Sequence, residues 1–164
     1  MALYVAGQRI RASELNRLPQ MYYVTSDLTK TTSTVYSNVT GLAFAADAAT
    51  RYFVEFHIAF EAPAAADICF QWSGPGTPTG LMCANGVESG DATGDVGDDN
   101  RQAVDLITGE VAFAGAGAQD CNCSPWATLL SDTAGTFQLK YRQLVSSGST
   151  IIRAGSVMRI TKLT

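Results

Sequence analysis

Along residues 52–60 the even positions Tyr52, Val54, Phe56, Ile58 and Phe60 are all apolar, whereas the odd positions include Glu55 and His57. A side-chain period of two sends alternate residues to opposite faces, so this stretch predicts a strand with one buried face. After the Ala62-Pro63-Ala64-Ala65 break, Ile68, Phe70 and Trp72 alternate with Asp67, Cys69 and Gln71, which predicts a second strand paired with the first as a hairpin. Trp72 is in phase with Ile68 and Phe70 and is expected in the core. The pattern predicts further strands over residues 21–25, 34–39, 42–45, 81–84, 110–114, 136–144 and 156–163, with Gly, Ser, Thr and Asn at the breaks. Many short strands with turn signals and almost no helix predict an all-β chain, an antiparallel β-sandwich or jelly roll.

Two segments depart from that period. Near the start, Ser13 precedes Glu14-Leu15-Asn16-Arg17-Leu18 and caps a short helix that Pro19 ends. A helix of about two turns is not stable alone in water, so it is expected to gain order by docking. The domain reading is therefore an N-terminal arm over residues 1–20 and a β-domain over 21–164, with Val5, Ile10, Leu15 and Leu18 as attachment contacts. The alternative is that the helix closes one end of its own domain. The second departure is residues 88–100, which are acidic, glycine-rich and without period, and which predict a long loop.

The loop offers oxygen ligands at Asp91, Asp95, Asp98, Asp99 and Asn100, the ligand type that calcium prefers. Their spacing misses the alternating D-x-[DN]-x-[DN]-G register, so no metal site is expected. A solvated loop, or a surface contact through Asp95, Asp98 and Asp99, fits better.

With 164 residues the chain is the size of one domain with one core. Charged residues make up 16%, against roughly 25% in average domains, which suits a surface in contact with other subunits. The net charge of −4 gives no footprint for phosphate backbones, so nucleic acid is not an expected partner. The opening lacks the apolar stretch of a signal peptide and no run is long enough to span a bilayer, so folding in a cytoplasm and no membrane partner are expected.

Cys121-Asn122-Cys123 resembles half of a metal clip, but zinc needs a second pair or two histidines, and His57 is the single histidine. Buried thiols at Cys69, Cys83, Cys121 and Cys123 are expected, with later disulfides left open. His57, Glu55 and Glu61 share one face of a strand and form the one constellation suited to acid–base work. No motif fixes a nucleophile beside them, so no catalytic residue is assigned and no cofactor is expected. Trp126 follows a Cys-Asn-Cys-Ser-Pro loop and is the better candidate for an exposed contact, such as stacking on a sugar ring.

Residues 6–18, AGQRIRASELNRL, resemble the opening of many small virion proteins of tailed phages, particularly those of actinobacterial hosts. Residues 148–160, GSTIIRAGSVMRI, are similar to the closing strand of their jelly-roll domains, and residues 38–44 and 51–55 fit the same pattern. The resemblance implies a jelly roll, often trimeric and similar in outline to tumour-necrosis-factor or C1q heads, carried on the virion by its N-terminal segment. It also implies capsid or tail subunits as partners, and a host surface glycan where the head recognises a receptor. Three functions follow for testing: a head decoration or minor tail protein, a receptor- or glycan-binding head, and a cell-wall hydrolase, the last disfavoured because no paired carboxylates or metal triad can be placed.

Overall fold

The structure, a computed structural model, describes residues 18–87, 99–100, 103–105 and 109–163. Among them are fifteen strands and no helix: β1 (Gln20–Tyr23), β2 (Leu28–Thr31), β3 (Ser37–Ala46), β4 (Thr50–Glu61), β5 (Ile68–Ser73), β6 (Thr79–Cys83), β7 (Gly86–Val87), β8 (Asp99–Asn100), β9 (Ala103–Asp105), β10 (Val111–Phe113), β11 (Cys121–Cys123), β12 (Trp126–Ser131), β13 (Gly135–Arg142), β14 (Ser149–Ile152) and β15 (Val157–Lys162). The expected helix at Ser13–Leu18 falls outside the described residues, apart from Leu18 itself.

The chain is an all-β sandwich of two antiparallel sheets. The larger sheet runs β1-β15-β4-β12-β6-β9. Its axis is β4, whose first half pairs with β12 and β15 and whose far end also takes β11 and β14. The smaller sheet runs β10-β5-β13-β3. The pairing of the main strands is nested: β1 with β15, β3 with β13, β4 with β12, and β5 with β10.

The alternation in β4 is realised as expected, with Tyr52, Val54, Phe56, Ile58 and Phe60 all buried. Its predicted hairpin with β5 is not. The two strands belong to opposite sheets, and their apolar faces meet across the core, where the Phe56 and Trp72 rings lie 5.5 Å apart. Two strands that each bury one face satisfy that need equally well face to face, and the six residues between them are enough to cross. The crossing is built as a turn in which Ala66 N–H donates to the Pro63 carbonyl at 2.8 Å, and Asp67, at φ 49°, accepts from Gly115 N–H at 3.0 Å.

Trp72 is 1% exposed and is boxed by Phe44, Phe56 and Phe137, with Phe44 stacked on Phe137 at 5.5 Å. The two strands expected over 34–39 and 42–45 are one strand, β3. It carries extra residues opposite β13, where the register slips between Gln138 and Lys140. Gln138 Nε2 reaches into this bulge and donates to the carbonyls of Val39 and Leu42 at 3.0 and 3.2 Å, satisfying groups the ladder leaves over.

Candidate binding face

Register fixes which side chains leave the sandwich. On the larger sheet the outward row Met21, Arg159, Glu55, Trp126 and Cys83 crosses five strands, and the next row carries Thr161, Phe53, Thr128 and Leu81. Five of the eight exposed large apolar residues among those described lie on this face: Met21, Tyr23, Leu81, Trp126 and, continuing the alternation of β15, Leu163. The outward side chains of the smaller sheet are instead polar or small, among them Gln71, Ser73, Gln138, Lys140 and Arg142 with Ala43 and Ala45. One outer face therefore carries apolar area that water wets poorly, and the other does not.

At the centre of the apolar face is a hollow of about 370 Å³ lined by Phe53, Glu55, Phe56, His57, Asn85, Ser124, Pro125 and Trp126. Pairing of β12 with both β4 and β6 assembles it: Trp126 stands opposite Glu55 on one side and Cys83 on the other. The indole is 38% exposed and its ring lies 5.9 Å from that of Phe53. Arg159 Nε donates to Glu55 Oε2 at 2.6 Å, and His57 Nδ1 lies 3.1 Å from Ser124 Oγ.

Glu55, His57 and Glu61 share a face, yet each is drawn to a different neighbour. Glu61 accepts from Arg153 Nη2 at 2.5 Å, within a cluster in which the same guanidinium also binds Asp27 and Asp120. The three therefore do not act together as an acid–base array. The His57–Ser124 contact is one that residue order alone gave no reason to expect. It lacks the rest of a nucleophilic site: among the described residues no carboxylate receives the far imidazole nitrogen. The backbone at Ser124 offers no free oxyanion donor either, because Ser124 N–H is spent on the Asn85 carbonyl at 2.7 Å and Pro125 has no N–H.

The other expected contacts divide sharply. Leu18 is exposed beside Gln20, Ile160 and Lys162. Val5, Ile10 and Leu15 lie outside the described residues, as do Asp95 and Asp98. Asp99 belongs to the two-residue strand β8, paired with Val87, so the stretch expected to be loop throughout closes on a short ribbon. Cys121–Cys123, expected as a loop, is strand β11 on the far end of β4. All four cysteines are free thiols; Cys69 and Cys123 are buried, and burial raises the Cys69 thiol to about 12.

No family model matches the chain, and no curated protein does. Among solved structures it is similar to the tripod from the baseplate of bacteriophage Tuc2009, at 9% identity and a TM-score of 0.39, over 99% of this chain and 74% of that one. It is also similar to the VP2 subviral particle of infectious bursal disease virus, at 11% identity and a TM-score of 0.27, over 89% of this chain and 41% of that one. For the T13 particle of the same virus the values are 12% and 0.25, over 89% and 39%. The chain spans about two fifths of the length of the two bursal disease virus chains.

Proposed function

We propose that this chain is a non-enzymatic structural protein of a bacteriophage virion, displayed as a head decoration or minor tail component and assembled as a homotrimer. The observation that carries the assembly is the asymmetry between the outer faces. Apolar side chains gathered on one sheet of a charge-poor domain are what a subunit contact requires. Met21 and Tyr23, on the edge strand β1, and Val157 beside them form the strip that meets the next copy. The nested strand pairing supports a jelly roll, since that fold is a long antiparallel ribbon wound on itself, last strand beside first. The virion setting rests on the resemblance of residues 6–18 and 148–160.

Sedimentation tests the assembly. The full chain at micromolar concentration is expected to run as a trimer, and Met21→Asp with Tyr23→Asp to run as a folded monomer. A full chain that is already a monodisperse monomer overturns the reading. Copy number in a cryo-EM map of the source particle then separates decoration, at hundreds of copies, from a tail component, at a few.

A receptor- or glycan-binding head is the second reading, and the hollow beside Trp126 is what favours it.

A further inference from the structure

We infer that the hollow walled by Trp126 and Phe53 is a binding site for a neutral saccharide ring. The inference deepens the second reading above and stands independently of the trimer contact, because the Glu55–Arg159 ion pair lies between Trp126 and the Met21–Tyr23 strip.

Three polar groups line the hollow with one side held and the other unclaimed. Arg159 fixes Glu55 through Oε2, and Oε1 takes no bond among the described residues. Ser124 holds His57 at Nδ1, and Nε2 takes no bond among the described residues. The Asn85 side-chain amide likewise takes no bond among the described residues, while its backbone carbonyl is anchored by Ser124 N–H. A carboxylate acceptor, an amide that both donates and accepts, and an imidazole are thus positioned before any ligand arrives, which lowers the ordering cost of binding.

Beside them Trp126 presents a ring steadied by Phe53, and the volume lies within the usual range of ligand sites. A wholly apolar ligand would strand the three polar groups without partners. An anion would meet the Glu55 carboxylate and find Arg159 already spent on it. An extended peptide gains most from an open sheet edge, and β4 has none here, being paired on both sides with β12 and β15. A sugar ring has what remains: an apolar C–H face for the indole and a rim of hydroxyls that donate and accept.

Titration calorimetry of the full chain against methyl glycosides of glucose, galactose, N-acetylglucosamine and rhamnose, with glucuronate and inorganic phosphate as anionic arms, tests the site. At least one neutral glycoside is expected to bind and neither anion to do so. Trp126→Ala should weaken binding at least tenfold, Asn85→Ala severalfold, and Leu81→Ala, on the same face but outside the hollow, not at all. The Met21→Asp, Tyr23→Asp variant should bind as the unmodified chain does, whatever its oligomeric state. The inference is overturned if no neutral glycoside binds, if an anion binds instead, or if a folded Trp126→Ala protein binds as before.

Discussion

Gly41 lies against the carbonyl of Tyr23, so close that a Cβ built on the glycine would sit 2.4 Å from the Tyr23 oxygen. Its φ of +95° is one that side chains with a Cβ rarely adopt. The bulge in β3 thus bends toward β1 of the other sheet at a point where only glycine fits. Gly41→Ala is expected to destabilise the fold by about 1–3 kcal/mol through strain and displacement of β1. Chemical denaturation reads it, and a change within about 0.5 kcal/mol of zero would show that the corner tolerates a side chain.

Trp72 ties both sheets together through Phe44, Phe56 and Phe137, and its indole N–H is the one buried side-chain polar atom without a partner among the described residues. Trp72→Ala should cost about 3–5 kcal/mol, mostly as cavity. Trp72→Phe removes the unpartnered N–H along with less volume, so its cost should be clearly the smaller. Equal losses for the two variants would mean that packing around the indole does not set the stability of the core.

Acid should unfold the domain through carboxylates tied by hydrogen bonds. Burial pushes Glu110 up, but hydrogen bonds from Tyr36 and Arg142 outweigh it and hold the carboxyl below its ordinary 4.5. Asp27 is held below 3.8 by Ala154 N–H and Arg153, and Asp132 by Thr77 N–H. A carboxyl with a lowered folded pKa contributes stability that is whole above its unfolded value and lost as pH falls through the folded one. The melting temperature should therefore be nearly flat above about pH 5 and fall below about pH 4. Glu110→Gln should lower it at neutral pH and make the acid slope shallower; an unchanged slope would remove Glu110 from the account.

The period-two pattern begins near Met21, and a helix of about two turns before it is marginal alone in water. Removing residues 1–18 is therefore expected to leave circular dichroism unchanged and to cost about 1 kcal/mol or less, which is about 2–4 °C in a domain of this size. The same truncation is expected to abolish incorporation into particles. A truncated protein that fails to fold would place the arm within the core.

Period-two alternation, set by the geometry of an extended backbone, made much of the fold legible without coordinates. β4, β5 and β13 fall where apolar residues recur at every second position, and Trp72 is buried because it keeps phase with Ile68 and Phe70. The same local signal is silent about which sheet receives a strand. β4 and β5 read as neighbours and became opposite walls, because facing strands and paired strands bury the same residues. β12 carries no clear sequence signal because its outward face holds Trp126 and Leu130 and its inward face Ala127 and Ser131, which blurs the alternation. β11 is a strand because the long β4 offers it an edge, not because Cys121-Asn122-Cys123 asks for one. Sequence could mark Trp126, His57 and Glu55 as residues with chemistry to offer. Only pairing of β12 between β4 and β6 brought the indole to Phe53 and placed Ser124 and Asn85 beside the histidine, because such contacts join residues distant in the chain, and the register of the sheet, not the spacing of the residues, decides them.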